Sequence, residues 1–166
     1  MESLFEKYVH KVLEKQIQPL GYSIIAQLTG RHLSQQPKAF SLKPDLGIYD
    51  KDKKLICIVD TKWKLIDSNA KYDDGKQDVK SGVAQSDVYQ MFAYGHKYLS
   101  GRGHLVLMYP SWSGFKERLP TFYLDAAQQL ILDVVPFDLN AEICFSMQML
   151  GGGFSCLPFS LPSLTA

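Results

Sequence analysis

Apolar positions fall first at helical and then at strand spacing. Leu4, Phe5, Tyr8, Val9, Val12, Leu13 and Ile17 recur every three or four residues until Pro19-Leu20-Gly21 stops them. This pattern predicts an amphipathic helix with Ser3 as its N-cap. Residues 22–28 are apolar enough for a strand, and 29–38 form a polar stretch expected to be a loop. Residues 40–50 and 53–63 flank the polar run Tyr49-Asp50-Lys51-Asp52-Lys53-Lys54 and predict an antiparallel hairpin. The following polar connection, 67–85, is longer than compact domains usually leave without structure. With Gly75, Gly82, Lys71, Lys76 and Lys80 in it, it is expected to be mobile and to order on phosphate.

Ser86 reads as the N-cap of a second helix, with Asp87 favoured by the positive first turn. Val88, Met91, Phe92, Gly95 and Leu99 make one face of it and Gln90, Tyr94 and Lys97 another. Residues 104–109, closed by Pro110, read as a buried strand beside the hairpin, and 121–124 and 129–135 as strands at the sheet's edge. Asp138 or Asn140 is expected to cap a last helix through Met149. The Gly-, Pro- and Ser-containing stretch 151–166 is expected to be a flexible tail. The order predicts an α/β domain over 1–150 whose mixed central sheet is flanked by helices.

Composition narrows the class. At 46% hydrophobic and 21% charged residues the chain can build a normal core, which excludes disorder of the whole. No apolar run is long enough for a membrane span and no signal pattern opens the chain, so a soluble, cytoplasmic protein with no membrane partner is expected. Cys57, Cys144 and Cys156 lack paired spacing and are expected to be reduced. A formal net charge of +1 gives no global basic field, so nucleic-acid contact has to come from local patches or a partner.

The chemistry gathers at the hairpin. The buried run Ile56-Cys57-Ile58-Val59 ends in Asp60, and burying an unpaired carboxylate is costly, so a cation or donor must meet it. Asp45 on the facing strand and Lys62, two residues further on the same face, are the candidates. Two carboxylates and the Thr61 carbonyl are the oxygen ligands a hard ion such as Mg²⁺ prefers. Lys62 would then orient water or offset charge on phosphate, and Lys43 and Lys64 lie close in sequence. Each fragment also has a bland reading: Pro-Asp is a common turn, and Asp-x-Lys can be a strand end with a solvated ion pair. Glu6, on the flank of the first apolar stripe, reads by itself as a solvated first-turn glutamate.

Pro44-Asp45 followed by Asp60-Thr61-Lys62 resembles the PD-(D/E)xK nuclease signature. The strings Leu42-Lys43-Pro44-Asp45, Asp60-Thr61-Lys62-Trp63-Lys64, Asp87-Val88-Tyr89-Gln90-Met91-Phe92-Ala93-Tyr94 and Leu107-Met108-Tyr109-Pro110 are similar to the McrC nuclease domain of McrBC modification-dependent restriction systems. The resemblance runs over most of 2–140. It implies a restriction-endonuclease-like core, Mg²⁺-dependent hydrolysis of DNA with Mn²⁺ as a possible substitute, and Asp45, Asp60 and Lys62 as the catalytic set. It adds Glu6 as a first-helix acid at the metal, and Gln90 with Tyr94 as a Gln-x-x-x-Tyr pair. It also implies a GTP-hydrolysing AAA+ motor as partner, and pairing of two copies for double-strand cleavage. Relatives of this subunit carry an N-terminal region that engages the motor, whereas this chain starts almost at the nuclease helix. No Gly-rich phosphate loop is present, so GTP chemistry is expected in another chain. Nor does any motif beside the acids suggest an element that enters a DNA groove.

Two other functions fit the same residues. One is a nuclease of repair or recombination on the same core; the other is a silent fold that binds DNA or assembles a complex. The retained Asp45, Asp60 and Lys62 speak against silence.

Overall fold

The computed structural model describes residues 1–71, 75–76 and 78–140, and the backbone alone of 146–150 and 153–157. The first helix, α1, runs Glu2–Ile17. Leu4 and Phe5 donate their amides to the Met1 carbonyl, so the helix begins before Ser3 and needs no side-chain cap. Phe5, Val9, Leu13 and Ile17 are its buried stripe.

Strand β1 (Ser23–Ala26) is followed by β2 (Arg31–Gln35) and β3 (Lys38–Leu42), which pair antiparallel as a separate two-stranded ribbon. The polar stretch expected to be a loop is therefore half of a hairpin. Its apolar content is low because its ladder is closed by backbone pairing and its docking by side chains of the second helix. The long first strand expected over 40–50 is also broken. Pro44 has no amide for a ladder, and the chain passes there from the ribbon to β4 (Leu46–Tyr49) in the central sheet.

Strand β4 pairs antiparallel with β5 (Leu55–Thr61), Leu46 facing Val59 and Ile48 facing Cys57. The connecting turn is tied by Asp50, whose Oδ1 accepts the amides of Asp52 and Lys54. Helix α2 (Gln85–Tyr98) starts two residues earlier than Ser86 capping would give, with Ala84 at the cap position and no side-chain cap bond. Strands β6 (Gly103–Pro110) and β8 (Leu130–Phe137) extend the sheet in parallel, and the short β7 (Phe122–Tyr123) closes the edge. The order is β1-β4-β5-β6-β8-β7, a mixed six-stranded sheet.

Alternation along the strands sends apolar residues to both faces. Cys57, Val59, Val106, Met108, Val135 and Phe137 pack on the α1 stripe. Ile58, Leu105, Leu107, Leu130, Leu132 and Val134 pack under Met91 and Tyr94 of α2. At Gly95 the helix comes so close that an added Cβ would lie 2.6 Å from a Leu130 methyl. The α/β class and the mixed sheet flanked by helices thus hold.

Near the end of the chain the expected helix through Met149 is replaced by strand β9 (Ser146–Leu150), paired with β10 (Gly153–Leu157). Met147 and Met149 alternate with polar Ser146 and Gln148, a strand period. Asp138 accepts the Asn140 amide in a local turn instead of capping a helix. Part of the stretch expected to lack regular structure therefore pairs; 141–145, 151–152 and 158–166 lie outside the described residues. No helix among the described residues is long and apolar enough to cross a membrane.

Candidate active site

The register of β4 on β5 decides the geometry. With Leu46 opposite Val59, one step further sets Asp45 beside Asp60 at the end of the hairpin. Asp45 is fixed there by Thr61, whose amide and Oγ1 both donate to Asp45 Oδ2, at 2.8 and 2.7 Å. Two donors on one oxygen orient the carboxylate and leave its other oxygen for another partner. The Asp45 and Pro44 carbonyls accept the amides of Gln27 and Leu28, which pins the turn from the β1 side.

Asp60 is 1% exposed. Burial, then the neighbouring Asp45, push its carboxyl up to about 7, against the pull of Lys62. The Lys62 ammonium is ion-paired with Asp60 Oδ2. Burial works against the charge on Lys62, but Asp60, Asp87 and Asp45 together outweigh it and the amine titrates above its ordinary value. The same ammonium donates to Gln90 Oε1 at 3.0 Å. Gln90 Nε2 in turn donates to the Tyr94 oxygen at 2.6 Å, and the Tyr94 hydroxyl to the Lys43 carbonyl at 3.2 Å. Burial and then Asp60 raise the Tyr94 phenol well above its usual value, so it stays a donor. A continuous chain of polar contacts therefore runs from Asp60 through Lys62, Gln90 and Tyr94 to the backbone that enters Asp45.

Of the expected apolar face of α2, Met91, Gly95 and Leu99 are buried and Val88 is partly so, and one position departs. Phe92, expected on the apolar face, is 43% exposed with its ring tilted against His96, while Tyr94 is 2% exposed. Tyr94 can be buried because its hydroxyl is paired on both sides.

Three groups beside this site were not legible as functional. Asp87 lies in the first turn of α2 as expected, but it is 8% exposed and accepts the Tyr109 hydroxyl at 2.9 Å, with Lys64 Nζ at 2.6 Å. Tyr98 donates to the Leu42 carbonyl at 2.9 Å. The joint signal for Asp87 and Tyr109 was that a buried strand ended in a tyrosine. Of the lysines named from sequence, Lys43 is exposed and Lys64 is held by Asp87.

Glu6 stands apart from the acid pair. It is half-buried on α1 and accepts a hydrogen bond from Gln27 Nε2, the same residue whose amide meets the Asp45 carbonyl. Among the described residues no three acidic, histidine or cysteine side chains converge as a metal cluster. The oxygen set that could hold a divalent ion is therefore Asp45, Asp60 and the Thr61 carbonyl. A buried carboxyl with a second carboxylate against it suits a cation, because like charges at close range favour the neutral form until one is supplied.

The connection 67–85 is stitched at its base. Asp67 donates its amide to Ser81, Ser68 donates to Gly114, and Asp78 accepts the amides of Lys80 and Gly82. Residues 72–74 and 77 lie outside the described residues.

Comparison with known proteins identifies the family. Residues 1–110 match the family described as McrBC 5-methylcytosine restriction system component. The chain belongs to that family. Asp45, Asp60, Lys62, Gln90 and Tyr94 of this McrBC component all lie within the matched span. Among solved structures it is similar to a chain of the refined half-complex from the tetradecameric assembly of Thermococcus gammatolerans McrB AAA+ hexamers with bound McrC. The likeness has a TM-score of 0.59 at 14% identity, and covers 84% of this McrBC component but 28% of that chain. No curated protein sequence matches it.

Proposed function

We propose that this chain is the DNA-cleaving domain of a McrBC-type, modification-dependent restriction system, a metal-dependent endonuclease. The observation that carries the reading is the buried Asp60, raised to about 7 between Asp45 and Lys62 on adjacent strands of a McrBC-family sheet. A structural ion pair has no use for a second carboxylate that makes the first harder to ionise.

Asp45, Asp60 and the Thr61 carbonyl would hold Mg²⁺, or Mn²⁺ in its place. Such an ion polarises a phosphoryl oxygen and acidifies a water. The chain's own residues do the rest. Thr61 fixes the Asp45 carboxylate in one orientation. Lys62, charged at all physiological pH, offsets charge that develops on phosphate. Gln90, braced by Tyr94, keeps the ammonium at the mouth of the acid pair. Glu6 acts on Asp45 through Gln27.

The partner is proposed to be a GTP-hydrolysing AAA+ motor, which supplies recognition and brings two nuclease domains together on DNA. The test is cleavage of methylated and unmodified DNA by the chain with and without such a motor. Motor-dependent cutting of methylated DNA, lost in Asp60→Asn, is expected. Near wild-type cutting by Asp60→Asn would overturn the site, and equal cutting of both DNAs would overturn the restriction role.

A further inference from the structure

The β2–β3 ribbon stands outside the central sheet and runs straight into the acid pair. Its last residue, Leu42, is followed by Lys43, Pro44 and Asp45. Between Glu14 and Asp45 the sequence holds no acidic residue, although the chain as a whole balances 18 Lys and Arg against 17 Asp and Glu. Arg31, Lys38 and Lys43 are all exposed in that interval. Gln35, which pairs with Lys38 near the turn, is exposed as well. Leu33 is 46% exposed and Phe40 is 72% exposed, two large apolar side chains on an element that pairs with no other sheet among the described residues. Phe40 also holds a φ of 59°, a left-handed backbone that a bulky residue rarely adopts.

The ribbon is held in a fixed place relative to the site. Tyr94, Lys97 and Tyr98 of α2 donate to the carbonyls of Lys43, Leu33 and Leu42. Gln90, one turn before Tyr94 on the same helix, holds the Lys62 ammonium. One helix face thus sets both the catalytic lysine and the ribbon.

We propose that the β2–β3 ribbon is a duplex-DNA contact that seats the strand to be cut on the Asp45–Asp60 pair, an inference that rests on the nuclease reading above. Its cations meet phosphates, and its exposed Gln35 and Phe40 lie along a groove. A two-stranded ribbon is an element that B-DNA's major groove, roughly 12 Å wide, admits. Charge complementarity selects DNA as the occupant: the segment is cationic without a compensating acid, in a chain whose net charge is only +1. Each phosphate neutralised by a cation releases counterions and steepens the salt dependence of binding.

The test measures binding of a fluorescent DNA duplex by anisotropy across a salt series from about 50 mM upward, without divalent metal, so that binding is read independently of cleavage. The double variant Arg31→Ala with Lys38→Ala is compared with a charge-matched control, Lys11→Ala with Lys15→Ala on the exposed side of α1. The ribbon variant is expected to bind about tenfold more weakly near physiological salt, with a salt slope shallower by about 2. The control is expected to match wild type, and all three to melt alike. Absence of DNA binding by wild type at low salt, or equal effects of the two doubles, would overturn the proposal. So would normal DNA binding by the ribbon variant with loss of an AAA+ partner, which would make the ribbon a protein contact. If wild type binds through the ribbon but never cuts under any metal, the nuclease reading fails while the ribbon assignment stands.

Discussion

Val59 and Asp60 are neighbours in β5 and lie on opposite faces of one sheet, and the two faces do different work. Toward α1, Val59 joins Cys57, Val106, Met108 and the stripe Phe5, Val9, Leu13 and Ile17 in an apolar layer. Toward α2, the same strand presents Asp60 to Lys62, and the helix above supplies Gln90, Tyr94 and Asp87. The first face stores stability by burial of apolar surface. The second gives some of it up, since a carboxyl titrating at about 7 is one the fold would rather keep neutral. A rigid apolar layer on one side lets a costly polar site persist on the other.

The sharpest way to break this division is to damage each face in turn. Leu13→Ala, in the α1 layer at 3% exposure, is expected to cost about 2–5 kcal/mol of stability, read by denaturant melts. Cleavage by the fraction still folded should stay at the wild-type level. Lys62→Ala should do the reverse. A loss of roughly 10²–10³ in the cleavage rate is expected, because removing one charge-stabilising donor costs that much, with melting nearly unchanged at about pH 5, where an Asp60 left without its ammonium carries a proton. Calorimetry should find Mg²⁺ binding retained in Lys62→Ala; loss of it as severe as in Asp60→Asn would contradict the separate roles.

Protons sharpen the comparison further. Asp60 is raised from an ordinary carboxyl value to about 7 in the folded chain, so folding takes up a proton between those two pH values. In metal-free protein its contribution is therefore fully present below about pH 4, is lost as pH rises to about 7, and changes little above. Asp60→Asn removes the penalty. The variant is expected to gain on the order of 1–3 kcal/mol over wild type at pH 8 in chelator, and little at pH 4. A smaller effect belongs to Tyr94→Phe, which removes one donor to the Lys43 carbonyl. It should lower the cleavage rate several-fold and destabilise by about 1 kcal/mol.

The acid pair was readable in the sequence because burial and charge conflict there: a four-residue apolar run had no reason to end in Asp60. The register of one hairpin then put Asp45 beside it. The ribbon was not readable, because β2 and β3 are polar and owe their placement to Lys97, Tyr98 and Tyr94, far along the chain. Tyr94 and Phe92 exchanged places for a related reason. Hydrophobicity ranks phenylalanine as the core residue, yet the tyrosine is buried because Gln90 and a backbone carbonyl satisfy its hydroxyl. Asp87 shows the limit of local rules, since the helix dipole explained it well and its true partners, Lys64 and Tyr109, lie on other elements.

Whether the polar face is built to hold a divalent ion is decided by titrating Mg²⁺ into the wild-type chain and Asp60→Asn by calorimetry at pH 6 and pH 8. The wild type should bind saturably, more tightly at pH 8 than at pH 6 because at the lower pH the ion must displace the proton on Asp60. Asp60→Asn should bind weakly or not at all at either pH. Equal Mg²⁺ affinity in the two proteins, or none in the wild type at pH 8, would contradict the account.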